Sequence, residues 1–194
     1  MTAAERSDEV LMAAYRAGDR AAFDALFSRY APRLRQTLSR RINRGDDVAD
    51  LVQQTFLQLH RARADFREGA KLRPWLYTIA LNLARQYFRR KGRRPETGLG
   101  EVEPAERGQE GDPERPAVAR ELHQALAKLP APQREVIELH WFEGLPFKEV
   151  AQVVGASESA VKVRAHRGYE KLRTRLVDPA VTKAGARGYG RTTQ

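Results

Sequence analysis

The sequence contains no cysteine. That excludes a disulfide framework, a thiolate zinc site and a thiol nucleophile, and it fits a reducing compartment. Long apolar runs are missing as well. None approaches membrane-spanning length, and the N-terminal stretch MTAAERSDEV lacks the apolar centre of a signal peptide. The chain is therefore expected to be soluble and cytoplasmic, with no direct membrane insertion. There is no Walker phosphate loop, no HExxH helix and no GxSxG elbow. His60, His123, His140 and His166 lie singly, so no metal constellation and no cofactor is expected. Asp46, Asp47 and Asp50 cluster where a helix should begin, and the helix dipole accounts for acids there. Nothing marks the chain as an enzyme.

What the sequence does have is positive charge. Its 194 residues carry 35 Lys and Arg against 25 Asp and Glu, a formal net charge of +10, which points towards an acidic polymer as partner. Hydrophobic residues make up 41% and charged residues 31%, so part of the chain should lie outside any core.

The apolar residues recur at steps of three and four throughout, and an all-α fold of two small helical domains is predicted. From Asp8 to Lys91 the stripes are Phe23, Leu26, Phe27, Tyr30, Leu34 and Leu38; then Val48, Leu51, Val52, Phe56 and Leu59, with Gly45 and Asp46 as turn and cap; then Leu72, Leu76, Ile79, Leu83 and Tyr87. A shorter helix, DEVLMAAYRAG, precedes them. Residues 92–116, rich in proline and glycine, are predicted to be a flexible linker, acidic from Glu96 onward. Helical stripes return over residues 117–177. The tail 178–194 has no stripe and is predicted to be disordered.

The segment PFKEVAQVVGASESAVKVRAHRGYEKL has the pattern of a helix-turn-helix. Phe147, Val150, Ala151 and Val154 make one short amphipathic helix. Gly155 permits the tight turn and Ser157 is a natural N-cap. Burying Val161, Ala165, Gly168, Leu172 and Leu176 leaves Ser159, Val163, His166 and Glu170 at the outward centre. Lys162 and Arg173 flank one side; Arg164, Arg167 and Lys171 flank the other. A polar centre between cationic rims suits a major groove. Val163 is placed for a thymine methyl, and His166 or Arg167 for base edges or phosphates. In the first lobe, the helix that buries Leu72 to Tyr87 leaves Trp75, Thr78, Asn82, Gln86 and Arg89 as a ridge. An aromatic, amides and cations together are what single-stranded DNA requires.

The block DLVQQTFLQLHRARADFREGAKLRPWLYTIALNLARQYFRR, followed after a linker by LPAPQREVIELHWFEGLPFKEVAQVVGASESAVKVRAHRGYEKLR, resembles bacterial sigma-70-type sigma factors of the extracytoplasmic-function group. The match runs from Asp8 to Leu176. The resemblance implies two helical domains, sigma regions 2 and 4, that dock on core RNA polymerase and direct it to promoters. It implies that Asp50, Leu51, Gln53 and Gln54 meet the clamp helices of the largest polymerase subunit. It further implies that the helix with Asn82 opens the −10 box, that the loop with Phe66, Arg67 and Lys71 captures a flipped base, and that the helix from Ser157 to Leu176 reads the −35 box. An anti-sigma partner is expected. Two positions depart from the family pattern: Gln54 stands where an acid is usual, and Val163 where a small hydroxyl residue is common.

Two other readings stay open on the sequence. One is a stand-alone helix-turn-helix regulator that binds duplex DNA without polymerase. The other is a helical adaptor whose basic faces hold acidic partners and never touch DNA.

Overall fold

A computed structural model describes residues 6–42, 44–92 and 117–176. The predicted linker beyond Gly92 and the predicted tail lie outside the described residues. Eight α-helices follow one another, with no strand among the described residues. The first lobe holds α1 (Asp8–Arg16), α2 (Arg20–Ser39), α3 (Gly45–Arg61) and α4 (Leu72–Arg90), with a single 3-10 turn, Arg63–Asp65, before the loop into α4. The second holds α5 (Ala117–Ala127), α6 (Ala131–Ile137), α7 (Phe147–Val154) and α8 (Glu158–Leu176).

Local chemistry sets several of the boundaries. The Ser7 hydroxyl accepts from the Val10 amide and the Asp19 carboxylate from the Ala22 amide, so α1 and α2 are both capped. Ser157 does the same for the Ala160 amide at 3.2 Å, and Gly155 ends α7 at φ +64°, as the sequence predicted. The start of α3 differs from expectation. Arg44 is its N-cap and makes no capping hydrogen bond, Gly45 opens the helix, and Asp46 and Asp47 lie in the first turn. There they face the positive end of the helix dipole without capping it.

The α3 stripe is buried as predicted, Val48, Leu51, Val52, Phe56 and Leu59 all lying in the core. On α2 the expected stripe is too wide: Phe27 is exposed. On α4 burial goes beyond the stripe, because Tyr77, Ala80, Leu81 and Ala84 are buried too. The reason is that α4 has two neighbours. One face packs on α3, and another packs on α7 of the second lobe. A single apolar cluster consequently runs from Leu11 and Leu26 through Leu76 and Leu81 to Val136, Leu139, Leu145, Val150 and Val161. The two lobes share a core.

Charges close the same junction. Glu143 is buried, and its carboxylate accepts from the Thr37 hydroxyl at 2.6 Å, from the Tyr77 hydroxyl and from Arg40 at 3.4 Å. Burial, then the neighbouring carboxylate, raises the Tyr77 pKa far above the usual phenol range. Arg41 bridges Glu138 at 2.9 Å and Glu135 at 3.2 Å, and Glu135 also meets Arg85 at 3.2 Å. Burial works against the Arg41 charge, but Glu138 and Glu135 more than offset it, and its pKa lies above the ordinary guanidinium value. The Arg40 guanidinium also lies 4.4 Å over the Phe142 ring.

Between α6 and α7 the helix continues as a π turn, Glu138–Phe142. The Glu143 amide donates to the Glu138 carbonyl at 3.3 Å, five residues back. Residues five apart in an α-helix point well away from each other. One wider turn brings them into line, so Glu138 and Glu143 both reach the first lobe.

α8 packs on α6 through Gly168. A Cβ at this position would lie 2.5 Å from Ile137 Cδ1 and 3.5 Å from Gln133 Cβ. Gly168→Leu is therefore expected to destabilise the fold by about 1–3 kcal/mol through overpacking. Lys171→Leu, at an exposed position on the same helix, should stay within about 0.5 kcal/mol. Urea unfolding followed by circular dichroism measures both.

Candidate nucleic-acid interface

The buried face of α8 consists of Val161, Ala165, Gly168 and Leu172. Its opposite face carries Ser159, Lys162, Val163, His166 and Arg167, all exposed, with Arg164 half-buried at the edge. Val163 is 48% exposed and lies at the centre of this face. Lys162 is paired along the helix with Glu158 at 2.7 Å, and His166 lies 3.6 Å from Glu170. The Ser157 and Ser159 hydroxyls are 3.0 Å apart. Exposed i,i+4 pairs of this kind are weak and exchange readily for phosphate. The structure brings the whole predicted set on α8 together on one outward face.

The first-lobe set is divided over three places. Asn82 is exposed on α4, and its carbonyl oxygen accepts from Arg85 at 2.8 Å, which leaves the amide NH2 facing outward. Arg89 is exposed about two turns further along the helix from Asn82. Gln86 lies elsewhere: it lines a cleft of about 240 Å³ between α3 and α4 with Asp47, Asp50, Gln54, Tyr87 and Arg90. At one wall of that cleft Asp47 accepts from Tyr87 at 2.6 Å and from Lys91 at 2.9 Å, and these bonds hold its pKa below the usual carboxylate value.

The loop before α4 separates its predicted residues by burial. Phe66 is buried, with its ring 5.2 Å from that of half-buried Trp75. Phe66 packs the loop into the lobe, and Trp75 keeps part of its surface exposed beside it. Arg67 and Lys71 are exposed, the latter 3.8 Å from Glu9. Among the residues predicted on α3, Asp50, Gln53 and Gln54 are exposed, whereas Leu51 is buried and packs in the core.

Beside Gln53 and Gln54 lies a shallow apolar groove of about 500 Å³, lined by Phe23, Phe27, Phe56, Leu57 and His60. Phe27 and Leu57 are both more than two-fifths exposed. The sequence reading missed both residues as surface features. The signal was present: Leu57 falls outside the Val48–Leu59 stripe, and Phe23 with Phe27 makes the α2 stripe wider than one buried face needs.

Among the described residues no group of three His, Cys, Asp or Glu is placed to hold a metal. No helix among them is long and apolar enough to cross a membrane.

Comparison with known proteins bears on the same segments. The family model of sigma-70 region 2 matches residues 26–94, and that of sigma-70 region 4 matches residues 119–172. The RNA polymerase sigma factor CarQ of Myxococcus xanthus is 38% identical over 165 residues, covering 85% of this chain and 95% of its own length. The ECF RNA polymerase sigma-E factor of Escherichia coli is 32% identical over 177 residues, covering 86% and 92%. Among solved structures, CnrH in complex with the cytosolic domain of CnrY aligns at TM-score 0.64 and 30% identity, covering 91% of this chain and 97% of that one. The sigma factor RpoE of Bartonella quintana, in complex with the anti-sigma factor NepR, aligns at TM-score 0.61 and 27% identity, covering 79% and 96%. Region 2 with α3 and α4, region 4 with α7 and α8, and nearly full-length relatives agree: the chain belongs to the sigma-70-type RNA polymerase sigma factors of the extracytoplasmic-function group.

Proposed function

We propose that this protein is the promoter-specificity subunit of a bacterial RNA polymerase, one that acts by binding and not by a catalytic group. The observation that carries this reading is the pairing, in one chain, of an outward recognition face on α8 with the exposed α3 and α4 faces of the region 2 lobe. The α8 face reads duplex DNA at the −35 box. Val163 offers an apolar contact to a thymine methyl, while Lys162, Arg164 and Arg167 neutralise phosphates beside it. On α4, Asn82 presents an oriented amide to the unwound −10 strand, and Arg67, Lys71 and Arg89 supply cations nearby. Phe66 and Trp75 act by holding the loop that carries Arg67 and Lys71.

The α3 face docks on core polymerase at the clamp helices of its largest subunit. Asp50, Gln53 and Gln54 are the polar contacts, and the Phe27–Leu57 groove beside them supplies the apolar part. Leu51 contributes by packing α3 into the lobe. With Gln54 in place of an acid, apolar contact carries more of this docking and ion pairing less. An anti-sigma protein is a further partner, supported by the related sigma factor RpoE, whose structure holds the anti-sigma factor NepR. Such a partner would keep the protein inactive in the cytoplasm or beneath the membrane.

The deciding experiment is binding of the purified, labelled chain to core RNA polymerase, with unlabelled housekeeping sigma factor as competitor. Competable binding is expected; its absence for the folded chain would leave the stand-alone regulator. Phe27→Ser or Leu57→Ser should weaken this binding by roughly tenfold or more, as loss of a central apolar contact does at interfaces.

The DNA contacts separate in the same way. Lys162→Ala, Arg164→Ala or Arg167→Ala should weaken duplex promoter binding, and each lost phosphate contact should lower the slope of log K against log salt by about one unit. Asn82→Ala should leave docking nearly intact while slowing strand opening, read by permanganate reactivity of unpaired thymines. Normal opening in that variant would remove Asn82 from the −10 assignment.

A further inference from the structure

An asparagine side chain ordinarily has no fixed polarity. Its oxygen and its NH2 exchange places on a half-turn about the last bond, so an exposed amide offers a donor or an acceptor to whatever it meets. Asn82 lacks that freedom. Its Oδ1 accepts from Arg85 Nη1 at 2.8 Å, and a guanidinium has donors only, so the carbonyl oxygen must face Arg85 and the NH2 must face away. The bond is charge-assisted, which makes such bonds roughly twice as strong as those between neutral groups. Residues 82 and 85 are about one turn apart on α4, a spacing that sets them side by side on the helix surface. Arg85 is itself held: it is half-buried, and its Nη2 donates to Glu135 at 3.2 Å. Bonds on two separate nitrogens of a rigid planar group fix where Nη1 points.

The outward group of this pair is thus a donor. Unpaired bases differ in what they carry at C4 of a pyrimidine or C6 of a purine. Thymine O4 and guanine O6 accept there, whereas cytosine N4 and adenine N6 donate. A keto oxygen takes a hydrogen bond from the Asn82 NH2. An amino group sets N–H against N–H, and the ring nitrogen beside it is reached only past that repulsion. Discrimination of this kind rests as much on the repulsive pairing as on the attractive one. A freely turning amide does not have it, since its oxygen accepts from the amino group equally well. We propose that Arg85 is a positioning residue that fixes Asn82 as a donor, and that the unwound −10 base meeting Asn82 is for that reason a keto base, thymine or guanine. The base assignment rests on the proposed sigma function and deepens it; the fixed amide depends on neither polymerase nor DNA.

The first arm of the test uses the free, full-length chain with isotope-labelled nitrogen. The Asn82 side-chain NH2 resonance is assigned by its loss in Asn82→Ala. Its order parameter should be close to that of rigid backbone, about 0.85, in the parent and in Arg85→Lys, which keeps a charged donor within reach. In Arg85→Ala it should fall below about 0.6. Circular dichroism of each variant must show the helicity of the parent. An amide as mobile in the parent as in Arg85→Ala would overturn the proposal.

The second arm reads base choice. Core polymerase carrying each variant selects from promoter forks whose unpaired −10 strand is randomised, and the bound DNA is sequenced. Comparison with Asn82→Ala marks the base that Asn82 reads. There the parent should favour thymine or guanine over adenine and cytosine by about tenfold, the effect of one hydrogen bond made rather than left unmade. Arg85→Lys should keep most of that preference, and Arg85→Ala should reduce it to about twofold or less. Asn82→Asp, which turns an oxygen outward in place of the NH2, should reverse it. Loss of the Glu135 contact in Arg85→Ala shifts affinity for all bases alike and leaves their ranking alone. A uniform loss of affinity in Arg85→Ala, with about one unit less salt slope and the parent's ranking intact, would make Arg85 a phosphate contact and overturn the proposal. So would an amino-base preference in the parent, or a ranking in Asn82→Asp equal to the parent's. An Asn82→Ala profile identical to the parent's overturns the keto-base assignment together with the −10 role of Asn82. Failure to bind polymerase at all strikes the sigma function instead, and the order parameter still decides whether Arg85 fixes the amide.

Discussion

Glu143 is a carboxylate with 3% of its side chain in contact with water, and the arrangement of the molecule depends on the company it keeps. A buried charge is tolerated only when donors surround it. Here the donors are Thr37 and Arg40 from the end of α2 and Tyr77 from α4, all on the other lobe. Neither lobe can satisfy this group alone. Glu138, with an equally buried side chain, makes the same demand of Arg41. Removing one partner from such a set leaves the others unpaired in a poorly hydrated place, which costs more than the pair itself contributes. The junction is thus intolerant of being damaged in part.

The π turn is the local device that makes this possible. Had α6 continued with α-helical geometry through Phe142, Glu138 and Glu143 would project in different directions, and only one could face α2. The extra residue in the turn aligns them. It also sets the ring positions behind them: His140 stacks on Phe147 at 4.1 Å, and the Trp141 indole donates to the Tyr169 hydroxyl at 2.6 Å. The same turn therefore fixes both the charged face towards the first lobe and the aromatic contacts to α7 and α8. Helix termination, lobe contact and placement of the helix-turn-helix are one structural event.

Much of this was legible in the sequence, for reasons that are local. The α3 and α8 stripes repeat every three to four residues, and burial follows that period directly. Gly155 and Ser157 carry their turn and cap chemistry within a few residues of where it acts. The helix-turn-helix was readable because each of its parts is short-range. What was not legible is long-range. The partners of Glu143 are more than sixty residues away in the chain, and Glu135, Glu138, Arg40 and Arg41 read locally as ordinary solvated charges. Tyr77, Leu81 and Ala84 fall off the α4 stripe because they answer to a second neighbour that periodicity cannot name. Asp46 was misplaced as a cap because the helix starts two residues earlier, with Arg44 at the N-cap. Trp75 reads as the aromatic of an exposed ridge and Phe66 as a loop residue, and their contact at 5.2 Å is one that periodicity cannot name.

The division of charge over the surface follows from the same junction. Lys162, His166 and Arg167 on α8 remain exposed in the closed chain, each bonded to no more than a neighbour on its own helix. Arg40, Arg41 and Arg85 are committed to glutamates across the junction. The net positive charge of the chain therefore exists in two states of readiness. Cations on the recognition helix are available at once, and their attraction for DNA is long-range at low salt. Cations at the junction are already neutralised by Glu135, Glu138 and Glu143.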